Sequence, residues 1–355
     1  MFSKRVVNVG NLAIGGHNRV FVQSMLNRPS EDVKANLIQA KELEEAGCEI
    51  IRVSIPNEES VATLFALKNN FSCPIVADIH FDYKMAVESV YAGADKIRIN
   101  PGNIGNKEHL GLIVAACSEK KIPIRIGVNS GSIPAYILKT MGRTPDGLVA
   151  AVQDYVRLLN NLDFDNIIIS VKSSDVIETI KAYTLLAGHC DHPLHLGVTE
   201  AGTFDVGVIK SAIGIGALLA NNIGDTIRVS LTEDPVKEIE VALNVLKSLG
   251  LRKGLDIISC PTCGRTKINI KNIVDNLRQA LDKYGLLDAN LKIAVMGCVV
   301  NGPGEAKEAD FGIAGGNGEG VIFKDGKVIK KVQEEHMVDE LVDLIILMQT
   351  GRVKQ

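Results

Sequence analysis

Between Arg19 and about Leu249 the chain repeats one pattern, a short apolar run followed by a longer stretch with helical periodicity. The runs cover residues 20–24, 48–55, 74–79, 95–99, 123–128, 166–171, 194–199 and 226–231. Helical stretches follow over 30–47, from 58, over 83–93, 107–121, 145–162, 175–187 and 205–221, and from 234. Starts such as Ser30-Glu31-Asp32 and Asp234-Pro235 supply the caps and the first-turn proline that helices favour. Strands this short and this uniformly apolar are covered on both faces. Eight consecutive strand–helix units therefore predict an α/β fold, a closed parallel (β/α)8 TIM barrel. A doubly wound open sheet is the alternative, but no Gly-x-Gly-x-x-Gly opens the first helix.

The pattern changes after a linker-like stretch, Leu-Arg-Lys-Gly-Leu at 251–255. Strands are expected at 257–259, 291–296, 311–314 and 320–323, and a hairpin turn at 324–327 leads into 328–332. Helices are expected at 272–284 and 334–348. The 355 residues thus divide into a barrel over 1–250 and a small α+β domain over 251–355.

Some functions are excluded early. A net charge of −3 and the absence of Trp argue against nucleic acid as a partner. No apolar run reaches membrane-spanning length, and 208–223, broken by Lys210, Ser211 and paired asparagines, reads as a buried helix. The first twenty residues carry no apolar signal region, so a cytoplasmic location with reduced thiols is expected.

One phrase recurs inside the barrel strands: Ile51-Arg52-Val53-Ser54, Ile97-Arg98-Ile99-Asn100 and Ile227-Arg228-Val229-Ser230. Ile124-Arg125-Ile126 and Val171-Lys172-Ser173-Ser174 vary it. Side chains alternate along a strand, so each cation faces inward with the residue two further on. Five cations then converge near the C-terminal mouth, where barrel enzymes keep their sites. Burying that charge is costly without anions, and arginine suits phosphate oxygens. A substrate with more than one phosphate is favoured. The competing reading pairs the cations with Asp78 and Glu200, but two acids cannot neutralise five cations. Asp78 and His80 either transfer protons or orient the arginines. Glu200, before Ala201-Gly202, is read as a general acid or base.

The second domain carries Cys260-Pro261-Thr262-Cys263 and Met296-Gly297-Cys298, with Asn301-Gly302-Pro303-Gly304-Glu305 just after. Two thiolates three positions apart can face one metal from a single turn. Zinc would normally take a fourth Cys or His, yet this domain has no fourth Cys and only His336. An iron–sulfur cluster with one replaceable corner suits the set better. Cys48, Cys73, Cys117 and Cys190 read as barrel core. Residues 315–320, rich in glycine, join two expected strands and read as a turn rather than a phosphate cradle.

These motifs resemble the 4-hydroxy-3-methylbut-2-enyl diphosphate synthase family. The resemblance rests on Cys-Pro-Thr-Cys-Gly-Arg at 260–265, Met-Gly-Cys-Val-Val-Asn-Gly-Pro-Gly-Glu-Ala at 296–306 and Ala-Asp-Phe-Gly-Ile-Ala-Gly-Gly at 309–316. In the barrel it rests on Val22-Gln23-Ser24-Met25, Ala77-Asp78-Ile79-His80, residues 98–103, 127–132 and 197–202. It implies a TIM barrel followed by an iron–sulfur domain similar to sulfite-reductase cluster domains. It implies a 4Fe–4S cluster on Cys260, Cys263, Cys298 and Glu305, with Glu305 yielding its iron to substrate. The implied substrate is 2-C-methyl-D-erythritol 2,4-cyclodiphosphate, opened and dehydroxylated with electrons from flavodoxin or ferredoxin in the non-mevalonate route to isoprenoids. Glu200 would be the acid/base.

Both lines of reading together make Glu200, Glu305, Asp78 and His80 the catalytic candidates. Arg52, Arg98, Asn100, Arg125, Asn129, Lys172, Ser174, Thr199, Arg228, Ser230 and Asn301 are the substrate-binding candidates. A homodimer is implied, with the cluster domain of one subunit capping the barrel of the other. The chain lacks the inserted domain of plant-type members, so the bacterial two-domain type is expected. It departs from the family pattern at Met25-Leu26-Asn27-Arg28-Pro29 and at Asn269. The readings that compete with this one are a zinc-stabilised barrel lyase or transferase and a non-catalytic electron carrier.

Overall fold

No element is expected before Arg19 from the alternation of runs, yet the chain opens with an antiparallel hairpin of β1 (Val6–Val9) and β2 (Leu12–Gly15). Gly10, at φ +56, makes its turn. The computed structural model describes residues 3–104, 107–298, 304 and 306–349. The chain falls into two compact units, Met1–Leu251 and Arg252–Gln355.

In the first unit the parallel strands are β3 (Phe21–Met25), β4 (Ile50–Ser54), β5 (Ile75–Asp78), β6 (Lys96–Ile99), β7 (Ile124–Asn129), β8 (Ile167–Lys172), β9 (His195–Leu196) and β10 (Thr226–Ile227). Their order is β8-β7-β6-β5-β4-β3-β10-β9. A parallel bridge from Ile169 to Leu194, beside β9, brings the two ends together, so the sheet closes as a TIM barrel. Around it lie α1 (Val33–Glu45), α2 (Glu58–Asn70), α3 (Tyr83–Tyr91), α4 (Lys107–Lys120), α5 (Ala135–Met141), α6 (Pro145–Asn160), α7 (Val176–Ala187), α8 (Phe204–Ala220) and α9 (Pro235–Ser248).

Local chemistry sets the helix starts. Asn57 and Ser60 form a reciprocal capping box on α2, and Thr144 caps α6 just before Pro145. Outward-facing strand residues such as Ile51, Val53, Ile97, Ile99, Ile124 and Ile126 pack with the helices in one large apolar cluster. The inward faces differ from bottom to top. At the N-terminal end Phe21, Ile50, Val76 and Ile168 meet Val7, Val9 and Ile14 of the hairpin. The hairpin therefore plugs the barrel floor, and its alternation of exposed and buried residues in β1 follows from that. Polar side chains take over above this floor.

Three expectations change. Strands seven and eight are shorter than residues 194–199 and 226–231. The chain leaves the ladder after Leu196 and turns through Glu200 at φ +52, and Glu238 takes the Leu231 amide at 3.0 Å. The long loop after residue 128 contains a 3₁₀ turn at Ser130–Ser132 and the added helix α5. Helix α8 is buried on one face only, with Val206, Ile209 and Ile213 exposed on the other. Among the described residues no helix is long and apolar enough to cross a membrane.

The second unit is a five-stranded sheet, in the order β11 (Asp256–Ser259), β12 (Lys292–Met296), β13 (Phe311–Gly315), β14 (Glu319–Lys324) and β15 (Lys327–Gln333). The first three are parallel and the last two antiparallel. α10 (Ile270–Lys283) and α11 (Met337–Gln349) cover one face, burying Leu277, Leu281, Leu341 and Ile345 against Ile293, Val295, Ile313 and Ile322. α10 starts two residues early because Asn269, a departure from the family pattern, caps it by accepting from the Asn272 amide at 3.1 Å. The glycine-rich stretch joins β13 to β14 as a turn.

Candidate active site

The barrel interior above its apolar floor is cationic. Arg52 on β4, Arg98 on β6, Arg125 on β7, Lys172 on β8 and Arg228 after β10 are all buried or nearly so. A sixth cation, Lys96 on β6, is fully buried, two residues before Arg98 on the same face. The period-two rule that found the others applies to it as well. Its ammonium lies 3.4 Å from Gln23 Oε1. Below the mouth, Arg125 Nη1 donates to Ser170 Oγ at 3.0 Å, and His195 Nδ1 lies 2.9 Å from Thr226 Oγ1.

Two carboxylates answer these six cations. Asp78, fully buried, accepts from Arg52 Nη2 at 2.6 Å through Oδ2 and from Arg98 Nη1 at 3.0 Å through Oδ1. His80 Nε2 stands 3.6 Å from Oδ2 and is exposed. Burial alone would raise the Asp78 carboxyl, but Arg52 and Arg98 beside it, with His80, hold it well below the usual range. Asp78 is thus paired with two arginines at once.

The second carboxylate is not Glu200. It is Glu238 of α9, nearly fully buried, which accepts from Ser24 Oγ at 3.0 Å and lies 3.5 Å from Arg228 Nε. Glu200 is exposed, in a left-handed conformation uncommon outside glycine. The competing reading, in which Glu200 pairs with the barrel cations, is not the arrangement seen: Glu238 takes that place, and Glu200 is exposed at the turn of residues 199–200.

Six cations against two carboxylates leave a large positive excess. Burial, followed by Arg125 and Arg52, pushes Lys96 well below its ordinary value, and burial with Arg125 and Arg228 does the same to Lys172. Guanidinium groups stay protonated under such pressure. The Nε atoms of Arg52, Arg98, Arg125 and Arg228 are buried with no hydrogen-bond partner among the described residues. Unmet donors of this kind are costly unless a ligand meets them.

The other barrel candidates surround this group. Asn100 is buried and its Oδ1 accepts from the Gly102 amide at 3.2 Å. Asn129 pairs in register with Lys172 and closes the 3₁₀ turn through Ser132. Thr199 and Ser230 are half-buried, whereas Ser174 is exposed. The departing segment after Met25 is tied to α1, with the Asn27 amide and side chain both bonded to Gln39 at 2.9 and 2.7 Å. Met25 itself receives Arg228 Nη1 at its sulfur, 3.6 Å away.

In the second unit β11 and β12 run parallel and end side by side, Ser259 opposite Val295. Cys260 and Cys298 follow those ends. The Gly297 amide donates to Cys260 Sγ at 3.2 Å. The turn after Cys263 closes through Thr266, whose hydroxyl accepts from the Cys263 amide at 3.0 Å. A side chain at Gly297 would meet Thr266 Oγ1 at 2.7 Å, so the two cysteine segments touch where glycine allows it. The Arg265 amide, helped by Thr266, lowers the exposed Cys263 thiol. Three cysteines at one end of a sheet, with amides directed at sulfur, fit a thiolate-bound group in donor chemistry. Among the described residues no three His, Cys, Asp or Glu side chains are grouped closely enough to hold a metal ion. Glu305 and Asn301 lie outside the described residues. The remaining cysteines behave as core: burial pushes Cys48 and Cys117 up to about 12, and Cys73 and Cys190 to about 11.

Comparison with known proteins decides the family. The GcpE TIM-barrel domain matches residues 4–243 and the GcpE protein C-terminal domain matches 256–346. The chain belongs to the GcpE family. Curated GcpE relatives are similar along their whole length. One from Caldanaerobacter subterraneus subsp. tengcongensis is 54% identical over 340 residues, covering 95% of each chain. One from Clostridium perfringens is 52% identical over 343 residues, covering 96% of this chain and 97% of its own. Both are called 4-hydroxy-3-methylbut-2-en-1-yl diphosphate synthase (flavodoxin). Among solved structures, the Yersinia pestis dihydropteroate synthase covers 69% of this GcpE chain and 98% of itself, at TM-score 0.50 and 16% identity. That likeness bears on the barrel fold alone.

Proposed function

We infer that this protein is a 4-hydroxy-3-methylbut-2-en-1-yl diphosphate synthase, an iron–sulfur oxidoreductase of the non-mevalonate isoprenoid route. It reduces 2-C-methyl-D-erythritol 2,4-cyclodiphosphate, opening the ring and losing an oxygen as water. The observation that carries the substrate assignment is the set of four buried arginine Nε donors without hydrogen-bond partners among the described residues, in a barrel whose six cations are met by two carboxylates, Asp78 and Glu238. A cyclic diphosphate supplies acceptors and charge together.

In this reading Arg52, Arg98, Arg125, Lys172 and Arg228 hold the two phosphates. Asn100, Asn129, Thr199, Ser230, Ser174 and Asn301 take hydroxyl and remaining phosphate oxygens. Asp78 fixes Arg52 and Arg98 by their terminal nitrogens, and His80 stands beside it. Glu200, exposed beyond the cations, gives the proton that lets the oxygen leave as water. Cys260, Cys263, Cys298 and Glu305 would hold a 4Fe–4S cluster. When bound, such a cluster supplies electrons one at a time and an iron corner that accepts oxygen. Flavodoxin or ferredoxin as donor, a homodimer and a cytoplasmic location complete the proposal.

Anaerobically purified protein tests it. A brown protein containing iron and acid-labile sulfide, which reduces the cyclic diphosphate with a flavodoxin donor, is the expected result. A colourless protein with stoichiometric zinc and no such turnover overturns it.

A further inference from the structure

We propose that Gly127 is a positioning residue for anion recognition: it keeps the Nε–Nη2 edge of Arg98 open to an oxyanion of the substrate. The proposal rests on the reading of the barrel as a diphosphate site.

Arg98 is held from one side. Its Nη1 donates to Asp78 Oδ1 at 3.0 Å, whereas its Nε is buried without a hydrogen-bond partner among the described residues. Nε and Nη2 form one straight edge of the guanidinium, the edge that matches two oxygens of a phosphate or carboxylate. Gly127 lies beneath this edge. A Cβ there would sit 3.1 Å from Nε, 3.4 Å from Nη2 and 3.2 Å from Ser170 Oγ. A methyl group would thus crowd the two donors that the ligand needs.

The backbone gives no reason for glycine at this position. Gly127 lies within β7, in register with Ser170, and its φ is outside the left-handed region. Glycine inside a strand weakens it and often marks close approach of a ligand or another chain segment. Its neighbours on this face, Arg125 and Asn129, both carry polar side chains. Arg98 is the group that approaches here, and Asp78 prevents it from swinging away.

The experiment is a double-mutant cycle on the holoenzyme, read as KM and kcat for the cyclic diphosphate and as binding measured by calorimetry. Gly127→Ala should fold and keep its cluster absorption. It should weaken binding about tenfold or more, the loss of one charge-assisted bidentate contact, with kcat less affected. Arg98→Ala should weaken binding at least as much. The double variant should be no worse than Arg98→Ala alone, because the closest approach of the added methyl is to that edge. Effects that multiply, or wild-type binding in Gly127→Ala, overturn the proposal. If Gly127→Ala does not fold, the double variant, relieved of the crowding, should recover the fold; failure to recover also overturns it. Unchanged binding in Arg98→Ala would instead remove the diphosphate reading itself.

Discussion

Asp78→Asn separates the charge of this residue from its shape. The carboxylate is fully buried, 2.6 Å from Arg52 Nη2 and 3.0 Å from Arg98 Nη1. Asparagine is nearly isosteric, but it leaves two guanidinium groups without the anion they share, and its NH₂ must face one of them. Removing one partner of a buried ion pair costs about 3–5 kcal/mol. For a unit of this size each kcal/mol moves the melting midpoint by roughly 2–4 °C, so a fall of about 10 °C is expected. The assay is thermal unfolding at low ionic strength, repeated with increasing inorganic pyrophosphate. The variant should gain more from pyrophosphate than the wild type, because the added anion replaces the lost charge. A midpoint within about 2 °C of wild type, with the same pyrophosphate response, would correspond to less than ~1 kcal/mol and would refute the argument that the arginines depend on Asp78.

Two further outcomes follow from the buried bases. Lys96→Met removes an ammonium that no carboxylate contacts among the described residues and should stabilise the ligand-free protein by about 1–3 kcal/mol on the scale of buried-charge replacements, seen as a higher urea midpoint, while weakening diphosphate binding; a loss of stability would mean that the ammonium is well satisfied. Burial, aided by Arg5, pushes His192 from its ordinary 6.5 down to about 4, so the unfolded chain takes up this proton first and stability falls as pH drops through that window, by about 3 kcal/mol. Urea midpoints between pH 7 and pH 4 should flatten in His192→Gln, and an unchanged slope would exclude His192 from the acid response.

Features governed by period alone were legible in the chain. Eight apolar runs gave the barrel, and alternation gave the inward direction of Arg52, Arg98, Arg125, Lys172 and Arg228. Lys96 was equally open to that rule, since Lys96, Arg98 and Asn100 alternate along one strand. The floor hairpin was also readable: Gly10-Asn11 separates two short, mostly apolar runs, the first of which alternates exposed and buried residues in the fold. Features that depend on register or on contacts between helix and strand were not legible. Asp78 bridges two arginines because Ser54 pairs with Asp78 and Asp78 with Arg98 across three strands. Glu238 reaches Arg228 and Ser24 from a helix, and the sequence does not say which turn of that helix meets the barrel mouth. The left-handed turn at Glu200, beyond the shortened seventh strand, has no period to announce it either.

The placement of arginine and lysine in the barrel has its own logic. A guanidinium cannot shed its proton, so Arg52, Arg98, Arg125 and Arg228 keep the interior positive whether or not an anion is present. An ammonium can, and burial pushes Lys96 and Lys172 in that direction. The two lysines are thus the groups whose charge burial opposes and which can yield it, whereas the arginines hold theirs. Asp78 and Glu238 hold part of that charge in place without cancelling it. The stability that permits this comes from elsewhere: the isoleucine-rich outer faces of the strands and the hairpin-plugged floor are packed and apolar. The unmet arginine Nε donors sit in the cationic layer above that floor, so in the proposed function groups that weaken the ligand-free fold are the same ones that meet the ligand.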